Sequence, residues 1–127
     1  MSRSVLLQLA RDSIAEVLEA QRTINKQELI KEHPLLKEKI TTRINLYIKN
    51  ELRGSAFSTE SSFSLLDDII INAKRSAFED SNFSPLTTSE YLSCEIELIL
   101  NTSDGQISEK DPAIVNDNPP QFEKMFS

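Results

Sequence analysis

Thr41-Thr42-Arg43-Ile44-Asn45-Leu46-Tyr47-Ile48, then Lys49-Asn50, then Glu51-Leu52-Arg53-Gly54-Ser55-Ala56-Phe57, is the stretch that decides the fold. Thr42, Ile44, Leu46 and Ile48 alternate with Arg43, Asn45 and Tyr47, a period of two that marks a strand with one buried face. Leu52, Gly54 and Ala56 alternate in the same way with Glu51, Arg53, Ser55 and Phe57. Lys49-Asn50 lies between the two runs, and Asn tolerates the positive φ of a tight turn. The stretch therefore predicts a β-hairpin. Alternation assigns Arg43, Asn45, Tyr47, Glu51, Arg53 and Ser55 to its polar face.

On either side of the hairpin the period changes to that of a helix. Upstream, Ser4 caps a predicted helix from Val5 to Gln21, with Leu7, Ala10, Ile14, Val17 and Leu18 as its apolar stripe and Arg11, Asp12, Glu16 and Glu19 off it. A short helix over Lys26 to Glu32 is ended by Pro34. Downstream, a helix is expected from Ser64 to Glu79 with Phe63, Leu66, Ile70, Ala73 and Ala77 in its stripe. Asp67 and Asp68 near its start, and Lys74 and Arg75 near its end, complement its dipole. Ser81 to Glu90 reads as a loop fixed by Pro85, and Cys94, Ile96, Leu98 and Leu100 as a third strand. After Asn101 the composition is that of turns and a tail: Asp104-Gly105, Asp111-Pro112, Pro119-Pro120. The expected class is α/β (α+β), a small mainly antiparallel sheet with two main helices on one face. Residues 1–101 form the domain and residues 102–127 a polar C-terminal extension.

The 127 residues suit one core-bearing domain. A net charge of −6 argues against general affinity for nucleic acid or anionic membranes. One cysteine excludes an internal disulfide framework and suits a reducing cytosol. The longest strongly apolar run is Ile69-Ile70-Ile71, far short of a membrane span of ~20 residues. A cytoplasmic chain without membrane contact is expected. One cysteine and one histidine do not make a zinc site, and two glycines exclude a dinucleotide fingerprint, so neither metal nor cofactor is expected.

Several landmarks, in order, resemble the AMMECR family between Leu6 and Leu100. Leu9-Ala10-Arg11 with Ile14 is similar to its opening helix. Glu51-Leu52-Arg53-Gly54 is similar to the start of its Leu-Arg-Gly-Cys-Ile-Gly motif. Ala77-Phe78-Glu79-Asp80, Phe83, Pro85-Leu86-Thr87 and Glu90 resemble the helix end and loop, and Glu95-Ile96-Glu97 the strand that follows. The chain departs from the pattern at Ser55, where the family carries cysteine, and at Ala56 and Phe57. The strand-rich stretch of full-length members beyond the Glu-Ile-Glu strand is also missing. The resemblance implies an α/β fold with a mainly antiparallel sheet and no settled activity. It also brings a hint of protein partners, because bacterial members often occur beside radical-SAM and Memo-type proteins.

Two functions compete on these residues. The leading one is a non-catalytic interaction or accessory domain, with a protein partner or a second copy. The alternative is an enzyme or sensor that holds a small anionic ligand around Arg53, with Arg43, Tyr47, Glu51 and Ser55 nearby, because two guanidinium groups suit a carboxylate or phosphate. Against the second stands the plainer account that Arg43 and Arg53 pair with Glu51, Glu95 or Glu97 across the sheet. Ser55 as a nucleophile needs a base, and His33 lies in another segment. Cys94, among apolar neighbours, reads as an inert buried thiol. Asp80 is expected to brace the loop carrying Phe83 and Pro85. Ile107, Ile114, Val115, Phe122, Met125 and Phe126 are expected to cover the surface left where the sheet ends.

Overall fold

In the computed structural model, which describes residues 3–115, the hairpin strands are β1 (Thr41–Ile48) and β2 (Glu51–Phe57). Lys49 and Asn50 both take positive φ, 52° and 67°. A two-residue hairpin turn whose twist matches its strands requires this conformation. Pairing from Arg43↔Phe57 to Leu46↔Gly54 is regular, then jumps to Tyr47↔Leu52. Arg53 is thus the extra residue of a β-bulge. The bulge corrects the simple alternation. Leu52 opposes Tyr47 on the polar face and is exposed, while Glu51 opposes Ile48 and leaves the face of Arg43, Asn45 and Tyr47.

Two further strands follow, β3 (Glu95–Thr102) and β4 (Gly105–Asp111), and the sheet runs β2-β1-β3-β4, antiparallel throughout. β4 is a finding against expectation: the reading after Asn101 is of turns and a tail, yet the chain reverses at Gly105 (φ 122°) and pairs with β3 from Thr102 back to Ile96. As an outer strand it is mostly exposed, so its sequence carries no apolar alternation.

The helices are α1 (Val5–Glu19), α2 (Lys26–Glu32), α3 (Leu65–Phe78) and α4 (Thr88–Ser93), with a short 3-10 turn at Pro34–Lys37. Ser4 caps α1 and Ser64 caps α3 by accepting from the Leu7 and Asp67 amides. α4 replaces part of the expected loop. Its capping box pairs the Thr87 hydroxyl with the Glu90 amide and the Glu90 carboxylate with the Thr87 amide. α3 lies on β1 and β2, and α1 lies on α3. Leu9, Ala10 and Ile14 of α1 meet Leu65, Leu66, Ile69 and Ala73 of α3 in one core with Ile44, Leu46, Ile96 and Leu98 of the sheet. Each fully buried Leu or Ile there stabilises by about 1.5–3 kcal/mol relative to exposure.

Gly54 decides how closely α3 approaches. A Cβ at this position would collide with the Ser76 carbonyl oxygen of α3. At the other end of α3, the Asp68 carboxylate is buried and accepts from the Thr42 amide (2.8 Å), the Thr42 hydroxyl (2.7 Å) and the Ser58 hydroxyl (2.7 Å). Asn72 donates to the Thr42 and Ser58 hydroxyl oxygens, each at 2.9 Å. Asp68 is therefore a buried anchor between α3 and the sheet as well as a helix-start carboxylate.

Arg11, expected off the apolar stripe, is fully buried. Its guanidinium makes an ion pair with Asp111 of β4 and donates to the carbonyl oxygens of Tyr91 (3.1 Å), Cys94 (2.7 Å) and Pro112 (3.0 Å). The first helix, the α4–β3 junction and the last strand thus meet on one side chain. Among the residues expected to cover the sheet, Ile107, Ile114 and Val115 are themselves about half exposed. Phe122, Met125 and Phe126 lie outside the described residues.

Candidate functional site

The bulge aims Arg53 at α4 and the loop before it. Its Nε donates to one Glu90 carboxylate oxygen at 2.8 Å and its Nη2 to the other at 3.0 Å. This is a bidentate pair, the strong form of an arginine–carboxylate contact. Nη2 also donates to the Ser84 carbonyl oxygen at 2.8 Å. The Phe83 ring lies against the guanidinium, with Cζ 5.5 Å from the ring centroid. That is within cation–π range. Arg53 is mostly buried and its Nη1 has neither solvent nor a partner. The pair shifts both titrations. Hydrogen bonding to Arg53 pulls the Glu90 carboxyl down to about 2, and the same bond raises the Arg53 pKa.

The remaining predicted residues form a separate chain of hydrogen bonds on the open face of the sheet. Ser55 Oγ donates to Asn45 Oδ1 (2.7 Å), Asn45 Nδ2 donates to Glu97 Oε1 (3.0 Å), and the Tyr47 hydroxyl donates to the same oxygen (3.1 Å). Burial and then Glu97 push the Tyr47 pKa up, so the phenol stays a proton donor. Arg43 lies over the Phe57 ring, with Cζ 4.3 Å from its centroid. Glu51 is exposed and takes no part.

The structure therefore brings together Tyr47 and Ser55, through Asn45 and Glu97. It sends Arg53 elsewhere and leaves Arg43 on an aromatic ring. The acidic partner of Arg53 is Glu90, not Glu51, Glu95 or Glu97. Cross-strand reasoning missed it because Glu90 is 37 residues away on a helix that composition did not suggest. One local signal was present: Thr87 followed three residues later by Glu90 is a capping-box pattern.

Asp80 does brace its loop. Its carboxylate accepts from the Asn82 amide (3.0 Å) and also from the Ser55 amide (3.0 Å) on the outer edge of β2. Ser55 finds no histidine, since His33 ends α2 and its nearest acidic neighbour is Glu32. Cys94 is fully buried, with its sulfur 3.7 Å from Arg11 Nη1. Burial raises its pKa more than Arg11 lowers it, which keeps the thiol protonated and unreactive. Among the described residues no three His, Cys, Asp or Glu side chains are placed to hold a metal ion, and no helix is long and apolar enough to cross a membrane.

One antiparallel sheet, helices packed against it and an arginine that ties an edge strand to a capping glutamate define an open-sheet α+β protein. The chain belongs to the AMMECR1 family, whose model matches residues 7–116. It is similar to the crystal structure of the uncharacterized protein PH0010 from Pyrococcus horikoshii, with 27% identity and a TM-score of 0.67. The likeness covers 75% of this chain and 48% of that one. The chain thus matches about half the length of PH0010. No curated protein matches.

Proposed function

We propose that the chain is a non-catalytic interaction or accessory domain. The observation that carries this reading is the occupancy of Arg53. An anion-binding arginine needs free donors facing solvent. Here Nε and Nη2 are bound to Glu90 and Ser84, while Nη1 is sealed from solvent. An incoming carboxylate would have to displace a Glu90 carboxylate that keeps its charge down to about pH 2. The open face offers no better cradle, because Glu97 already takes the Asn45 and Tyr47 donors and would repel an anion. Exposed Leu52, Phe57 and Phe63 give the molecule apolar surface along and beyond its outer strand instead. The test is a titration of isotope-labelled protein with inorganic phosphate and acetate, followed at the Arg53 Nε resonance. No saturable shift at millimolar anion is expected. A saturable shift abolished by Arg53→Met would overturn the reading in favour of a ligand site.

A further inference from the structure

The free edge of β2 carries the argument further, and this inference rests on the interaction-domain reading. β2 is an outer strand. The Ser58 amide donates back to the Thr42 carbonyl oxygen at 3.1 Å. By alternation, this turns the backbone groups of Ser55 and Phe57 away from β1. The Ser55 N–H is taken by Asp80, but among the described residues nothing bonds the Ser55 C=O or the Phe57 N–H and C=O. An unpaired edge is usually guarded by lysine, proline, a bulge or a covering segment. β2 has its bulge at Arg53, but Glu51–Phe57 contains no lysine or proline, and beyond the bulge Asp80 guards only the Ser55 position.

Beside this edge runs a groove of about 640 Å³, bounded by the β2 end, the approach to α3 and the last turns of α3. Phe57 and Phe63, 47% and 49% exposed, supply its apolar surface. Glu60, Glu79 and Asp80 line it against one base, Arg75. Asp80 is engaged with two amides, whereas the Glu60 and Glu79 side chains make no hydrogen bond or ion pair among the described residues.

We infer that this groove receives an extended segment of a partner protein, added to β2 as a further strand. The segment alternates apolar side chains, which meet Phe57 and Phe63, with a lysine or arginine, which meets Glu60 and Glu79. Asp80 closes one end and so sets the register. The acid excess selects a basic segment over a second copy of this chain, since a copy would set the same carboxylates against each other.

The probe is a blocked octapeptide alternating valine and lysine, with a valine–glutamate octapeptide as its counterpart, each titrated into the full labelled chain. Saturable amide shifts at Phe57, Ser58 and Glu79 are expected. Binding should weaken at least tenfold for the glutamate peptide and for Glu79→Lys, and vanish in Phe57→Pro, which removes the edge N–H. Glu79→Lys changes a side chain with no partner in the fold, so it remains decisive if Phe57→Pro fails to fold. No saturable shift, or equal affinity for the two peptides, would overturn the inference. Saturable shifts confined to the β4 edge would overturn it too and leave the interaction-domain reading standing. A response of Arg53 to phosphate would remove that reading by a separate measurement.

Discussion

Gly54, next to the bulge, and Glu90, which receives the bulge arginine, fail in different ways. Gly54→Ala puts a methyl group against the Ser76 backbone oxygen, and a helix backbone cannot yield as a flexible side chain can. The expected cost is about 3 kcal/mol, at the upper end of ordinary overpacking, read as a lower urea midpoint at unchanged slope. For Glu90 the variable is pH. Its carboxyl sits at about 2 in the folded protein, below the ordinary 4.5. A depressed carboxyl stabilises the fold above its unfolded pKa, so the Arg53 pair contributes fully above about pH 5. That stability is lost as pH falls through 4.5 towards about 2. With Glu90 one third exposed, solvent screening leaves a contribution on the order of 1 kcal/mol. Glu90→Gln should therefore lower stability at pH 7 and flatten its decline in acid, as measured by urea unfolding at neutral and at low pH. An unchanged acid slope would show that Arg53 and Glu90 are not coupled in solution.

Among the elements, what the sequence made legible tracks how strongly burial wrote on it. The hairpin, α1, α3 and β3 are readable because each has one buried face, and the alternation or helical stripe survives in the residues. β4 is invisible because an outer strand buries almost nothing: its pattern of Gln106, Ser108 and Lys110 with a lone Ile107 looks like a turn region. α4 has six residues and no buried position, so only its capping box betrays it. The bulge has one faint signature, the adjacent Gly54, since glycine inside a strand marks a bulge or a close backbone approach, and here both occur. Of the candidate site, Tyr47 and Ser55 were placed on the right face, but Glu51 was not, and the partner of Arg53 was missed for the same reason. Arg11 misled because a charged residue on a helix is ordinarily solvated. The tie between α1 and β4 gives the prediction at this scale. Asp111→Ala leaves a buried guanidinium without its counterion and should cost about 3–5 kcal/mol, as broken buried pairs do. Arg11→Met with Asp111→Leu should recover only part, because three carbonyl oxygens lose their donor as well. Urea denaturation of the single and double variants checks this.

Across the whole molecule, the strand order sets a gradient of protection. β1 and β3 are paired on both sides, whereas β2 and β4 have free edges. Native-state hydrogen exchange should find the slowest amides where β1 bonds to β3, at Arg43, Asn45, Glu97 and Ile99, and fast exchange at the outward Phe57 amide. Slow exchange at Phe57 would mean that the β2 edge is already covered in solution. The Arg11 anchorage has a consequence of another kind, for the order in which the protein is made. Arg11 emerges from the ribosome well before Asp111, which follows 100 residues later. At roughly 5–20 residues per second, the helix bearing Arg11 waits roughly 5–20 s for its counterion. Until then the guanidinium lacks its counterion and the Cys94 and Pro112 carbonyl oxygens as well, so the side of α1 that bears Arg11 stays solvated. A synthesis pause before Asp111 would prolong the interval in which that side of α1 lies open to chaperones.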